Sequence, residues 1–285
     1  MTSKLTLSVF TAPSRPVNGP SAIPAPQGGW TWPPTAATLI AGEREAILVD
    51  TVPTVEDSRK LADWIEASGK ELTTIYITHG HIDHYLGSST LVDRFPRARL
   101  VATEAVARDI KTEAESGNDR DFYGQMFVDE LCSTVVEPEV LADHRLELEG
   151  HDVIAVVTGQ SDVKDSSYIH VPDLSAVIVG DIAYNDVHPT LIGSDHESRL
   201  AWIQTLSQIQ DLKPSIVVAA HRRSDAANNA EILADTIAYL QKVDRLLTEE
   251  PTVVQFIEQM IEAYPTRLNI STLLYGAALL GLEMP

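Results

Sequence analysis

The stretch Thr74-Ile75-Tyr76-Ile77-Thr78-His79-Gly80-His81-Ile82-Asp83-His84-Tyr85-Leu86-Gly87 constrains this chain more than any other. It opens as a β-branched and aromatic run, the composition of a buried strand. Within two residues it switches to three imidazoles and a carboxylate. A buried strand ending in a His-rich loop holds its donors on rigid backbone, as a metal site needs. Imidazole is the commonest neutral ligand for zinc and its neighbours, and Asp adds an anionic oxygen. His79 and His81 are two apart, so in extended backbone they point the same way. Asp83 and His84 follow where the chain must turn, so they face a second point a few ångströms away.

The chain has 9 His in 285 residues. At that frequency a chance His-x-His-x-Asp-His is on the order of one in a thousand, which favours a metal site over a solvated His-rich loop. After a strand, His79-Gly80-His81-Ile82-Asp83-His84-Tyr85-Leu86-Gly87 resembles the signature of the metallo-β-lactamase-fold hydrolases. The resemblance implies an α/β fold, a four-layer αββα sandwich with one or two metals at one edge of its sheets.

The length suits one large domain, or a domain with an extension. With 44% hydrophobic and 22% charged residues, the composition is that of an ordinary globular protein. The net charge of -20 repels phosphate backbones and argues against nucleic acid as a partner. One cysteine, Cys132, leaves no internal disulfide and no Cys-rich zinc knuckle. No apolar run reaches transmembrane length and no signal-peptide pattern opens the chain, so no membrane partner and a cytoplasmic location are expected.

Leu5 to Phe10 alternates like a strand, and residues 11–35 form a Pro/Gly-dense loop ending in Trp30-Thr31-Trp32-Pro33-Pro34. Its two tryptophans either wall a substrate pocket or pin the loop to the surface. Thr38 to Asp50 reads as a hairpin, Thr54 to Ser68 as a capped helix, and Ser88 to Phe95 as another. Thr103 to Glu130 is helical but polar, broken at Ser116-Gly117-Asn118. Further strands are expected at 145–149, 152–157, 167–171, 176–179 and 215–219, with a helix at 195–211. From Asn228 onward the pattern is helical, with a stripe of Leu233, Ile237, Leu240, Val243, Leu246 and Leu247. Residues 1–225 are therefore read as the catalytic domain and 226–285 as a helical extension packed on it, or on a second copy in a homo-oligomer.

The family's later ligands carry over one at a time. Gly180-Asp181 matches the Gly-Asp whose carboxylate bridges two metals, and Ala219-Ala220-His221 matches the final His at a strand end. The departure is at Gln160, in Thr158-Gly159-Gln160-Ser161, where the family carries the third imidazole of the first site. An amide oxygen is a poorer ligand. Gln160 thus leaves a one-metal hydrolase, serves as a weak ligand in a two-metal site, or marks a degenerate protein. Tyr184 and His188, on the loop after Asp181, are candidates for substrate contact, against the alternative of a loop packed on itself.

The resulting expectation is a metal-dependent hydrolase with zinc (one or two ions), or manganese or iron in its place. His79, His81, Asp83, His84, Asp181 and His221 hold metal, with Gln160 as the weak member, and Asp83 orients the water. The substrate is a small molecule with an ester-like carbonyl: lactone, ester, thioester or β-lactam. A non-catalytic member or an iron-dependent oxidoreductase of the same fold is the alternative.

Overall fold

The computed structural model describes residues 4–21 and 23–282. The first half of the chain runs β1 (Thr6–Ala12), β2 (Arg15–Pro16), β3 (Thr31–Trp32), β4 (Thr35–Ala41), β5 (Glu45–Val49), α1 (Val55–Ala67) and β6 (Glu71–Ile77). It continues through α2 (Ile82–Tyr85), α3 (Ser88–Arg94), β7 (Arg99–Ala102), α4 (Glu104–Ser116), α5 (Asn118–Phe127) and β8 (Glu139–Val140). Its six-stranded sheet has the order β1-β4-β5-β6-β7-β8, and β2 pairs with β3 as a separate ribbon.

The second half builds a five-stranded sheet from β9 (Arg145–Leu148), β10 (His151–Gly159), β11 (Ser166–Val171), β12 (Ala176–Gly180) and β13 (Ile216–Ala219), with α6 (His196–Asp211) between the last two. Its order is β13-β12-β11-β10-β9. Helices α7 (Glu231–Leu247), α8 (Val253–Ala263) and α9 (Ile270–Ala278) complete the chain.

Strand alternation separates three apolar layers. On β6, Ile75 and Ile77 face α1, α3 and α4, whereas Tyr76 faces the other sheet. On β12, Ile178 faces the first sheet, whereas Val177 and Val179 pack under Trp202, Leu206, Leu240 and Phe256. Both sheets are thus covered on both faces, giving the αββα sandwich. Leu233, Leu240, Val243 and Leu246 from the C-terminal stripe are buried in the same cluster as the strands of the second sheet. No helix among the described residues is long and apolar enough to cross a membrane.

Strands β5, β6 and β7 run parallel, as do β12 and β13, and their carboxyl ends open at one edge of the sandwich. Loops leaving that edge are where an α/β architecture places ligands. Two glycines allow the edge to close tightly. A Cβ at Gly87 would lie 2.2 Å from the Val52 carbonyl oxygen, and one at Gly180, whose φ is +53°, would lie 2.6 Å from Thr78 Oγ1.

Candidate metal centre

Most polar side chains of the centre leave from the carboxyl end of a strand. Asp50 follows β5, His79 and His81 follow β6, Asp162 follows β10, Asp181 follows β12, and His221 follows β13. Asp83 and His84 sit on the single turn of α2, which His81 starts in extended backbone. This one turn swings Asp83 and His84 away from the line of His79 and His81.

The donor atoms fall into two adjacent groups. Those of His79, His81, Asp162 and Asp181 lie within 4.8 Å of one another, as do those of Asp83, His84 and His221. Asp181 borders both groups, because its Oδ1 is 3.4 Å from His84 Nε2 and its Oδ2 is 3.2 Å from His221 Nε2. Asp83 Oδ2 is also 3.2 Å from His221 Nε2.

The far side of the imidazoles is held by acceptors that fix ring orientation. His84 Nδ1 is 3.2 Å from Asp50 Oδ2, His221 Nδ1 donates to the Pro34 carbonyl at 2.9 Å, and His79 Nδ1 is 3.0 Å from Thr78 Oγ1. Asp50 also accepts from the Thr78 backbone N–H and hydroxyl, both at 2.8 Å, so one carboxylate ties β5, β6 and α2 together.

The Gln160 side chain bonds to its own loop. Its Nε2 donates to the Ser161 carbonyl at 3.0 Å, and its backbone carbonyl accepts from the Thr205 hydroxyl on α6. One residue on, the Ser161 hydroxyl donates to Asp162 Oδ1 at 2.9 Å, and Asp162 Oδ2 stands 3.1 Å from His81 Nδ1. Asp162 is a member of the first group that sequence reasoning missed. Residues 160–165 form a bent loop after β10, so strand alternation does not reveal which of its side chains faces the centre.

Tyr184 is fully buried, and its hydroxyl donates to Asp181 Oδ2 at 2.9 Å. His188 packs against α7, with Nδ1 2.9 Å from the Tyr239 hydroxyl. Neither residue lines the cleft above the centre, whereas Trp30 and Trp32 do. Tyr123 and Met126 of α5 line it as well, so part of the polar helical stretch lies over the site.

The residues present fit a bound cation. Asp83 Oδ2, His84 Nε2, Asp162 Oδ2 and Asp181 Oδ1 are buried and make no hydrogen bond among the described residues. Groups of this kind are costly to bury unsatisfied. The buried carboxylates also demand positive charge. Burial works against a charged His221, but Asp181 and Asp83 outweigh it and lift its pKa to about 10. His84 is raised in the same way, burial being overcome by Asp181 and Asp83. His79 is held neutral, its pKa pushed well down by burial and by His84 and His81 beside it. A metal ion supplies the compensating charge that protons supply otherwise, and its ligands are neutral imidazoles and carboxylates.

Comparisons with known proteins place the fold and the family. The model of the metallo-beta-lactamase superfamily matches residues 30–221. A metallo-beta-lactamase family protein from Thermus thermophilus superposes with a TM-score of 0.63 at 19% identity, covering 96% of this chain and 92% of its own. A metallo-beta-lactamase from Pontibacter korlensis gives a TM-score of 0.57 at 16% identity, covering 84% and 99%. A hydroxyacylglutathione hydrolase from Vibrio campbellii is 33% identical over 73 residues, 25% of this chain and 29% of that enzyme.

Proposed function

Since the chain belongs to the metallo-beta-lactamase superfamily, we propose that it is a metal-dependent hydrolase of a small molecule with an ester-like carbonyl. The observation that carries the proposal is the meeting of two donor groups, bordered by one shared carboxylate, at the floor of a cleft. Two sites follow: His79, His81, Asp162 and Asp181 would hold one cation, and Asp83, His84, His221 and Asp181 the other. Zinc fits this mixture of imidazole and carboxylate, as do manganese and iron. Asp162 takes the place expected of Gln160, so the first site has a third strong ligand.

A divalent cation there supplies Lewis acidity toward a carbonyl oxygen and lowers the pKa of water toward about 7. The protein's own groups do the rest. Asp83 lines the cleft floor, where its Oδ2 orients a water or accepts its proton. Burial opposes its charge, but His84 and His221 keep it ionised, so its oxygens carry no proton of their own. Asp50, Thr78 and the Pro34 carbonyl keep the rings of His84, His79 and His221 from rotating. Tyr184 steadies Asp181 from behind rather than touching substrate.

The net charge of -20 supports a small molecule rather than nucleic acid as the substrate. The similarity to a hydroxyacylglutathione hydrolase over part of the chain supports hydrolysis. The test is turnover of a lactone, thioester and β-lactam panel by metal-loaded protein, with Asp83→Asn alongside. At least one class should be hydrolysed, and Asp83→Asn should lose at least about a hundredfold in rate. Full metal content with no turnover of any class would make the protein a non-catalytic metal binder.

A further inference from the structure

The cleft above the metal centre has walls that the donor groups do not explain. On one side stand Trp30 and Trp32, carried by the N-terminal ribbon. Tyr123 and Met126 of α5, Ile192, and Tyr275 of α9 close the rest. The ribbon and α9 are fastened to each other: the Thr31 N–H donates to Ser271 Oγ at 2.8 Å, and the Thr31 hydroxyl is 3.3 Å from Asn269 Oδ1. Trp30 lies flat on Gly19, where a Cβ would fall 2.1 Å from the indole ring. The wall is therefore built, with a glycine required to seat one of its rings.

No Lys or Arg is among the described residues lining the cleft; its acidic members are Asp83, Asp162 and Asp181. Arg120 of α5 is committed elsewhere, donating to the Ser133 carbonyl and facing Glu113 at 3.7 Å. The hydroxyls in the wall belong to Thr31, Thr190, Ser271 and Thr272, and the first and third already bond within the wall. A substrate anion remote from the reacting carbonyl would meet rings, hydroxyls and the unpaired Trp32 N–H, all neutral, with no cation to pair it. Burying a charge under those conditions is costly, whereas burying a methylene or ring there is favourable.

Resting on the reading that the centre hydrolyses an ester-like bond, we propose that the substrate is an uncharged lactone or ester whose remote portion is apolar. That portion lies between the tryptophans of the ribbon and Tyr275 of α9. Substrates with a carboxylate, phosphate or sulfate at the remote end are disfavoured. Bond cleavage adds water across the acyl–oxygen bond, giving a carboxylic acid and an alcohol, and the acid ionises on release.

The test uses a hexyl-substituted γ-lactone and the analogue whose chain ends in a carboxylate, together with the corresponding lactams, which resist hydrolysis. Binding of the lactams to metal-loaded protein is read by tryptophan fluorescence, and turnover of the lactones by kcat/KM. The neutral lactam should bind at least about tenfold tighter than its anionic partner, and the lactones should differ in kcat/KM by at least as much. Tyr275→Arg and Thr272→Lys, each checked for unchanged metal content, should narrow that ratio by about tenfold. Equal or tighter binding of the anionic lactam, or no binding of either, would overturn the substrate class. If the neutral lactam is preferred but neither lactone turns over, the hydrolase reading fails and the wall assignment stands.

Discussion

Asp50 Oδ2 lies 3.2 Å from His84 Nδ1, although Asp50 does not line the cleft. The same carboxylate receives the Thr78 N–H and hydroxyl. It acts on the centre from behind. Asp50 has φ of +61°, a conformation that Asn also tolerates. Asp50→Asn should therefore fold, while weakening metal binding by about 10–100-fold through the misheld His84 ring. Competition titration against a chelator measures this, and an unchanged affinity would remove Asp50 from the account.

Tyr184 offers a sharper separation of roles. Tyr184→Phe removes a hydroxyl that donates to Asp181 and leaves the cleft lining unchanged. Metal affinity should fall by several-fold, with KM little changed, in the range of one lost charge-assisted hydrogen bond. A large rise in KM without change in metal affinity would instead make Tyr184 a substrate contact.

His188 should contribute to acid stability. Burial, reinforced by Arg267, lowers its pKa from 6.5 to about 3. The unfolded chain takes up this proton below pH 6.5, whereas the folded protein does so only near pH 3. Stability should thus be fully present above about pH 6.5 and fall as pH drops toward 3, by at most about 1.4 kcal/mol per pH unit from this group. His188→Asn should flatten the slope between about pH 6 and 4. Denaturant melts of both proteins across that range check it, and parallel slopes would contradict it.

The C-terminal helices should prove integral to stability. Phe256 of α8 is fully buried in one cluster with Val177 and Val217 of the second sheet. Phe256→Ala should cost about 3–5 kcal/mol. A loss under about 1 kcal/mol, read from the denaturation midpoint, would mean that α8 is only loosely docked.

Much of this was legible in the sequence because it was local. The apolar run of β6, the His-rich turn after it and the amphipathic stripe of α7 each declare themselves within a few residues. Asp162 did not, because it lies on a bent loop beyond the end of β10, where strand alternation no longer tells which side chain faces the centre. Asp50 looked like the end of a strand, since its partners Thr78 and His84 are brought to it only by the parallel pairing of β5 and β6. The roof of the cleft was equally hidden, because Thr31 and Ser271 meet across 240 residues.

Asp162 should complete the first metal site in place of Gln160. Tight metal per chain, measured by elemental analysis after dialysis, tests it most directly in wild type, Gln160→Ala and Asp162→Ala. Wild type and Gln160→Ala should each retain about two ions, and Asp162→Ala about one, because a site that loses an anionic ligand releases its cation first. Loss of an ion from Gln160→Ala, with Asp162→Ala still holding two, would contradict the account.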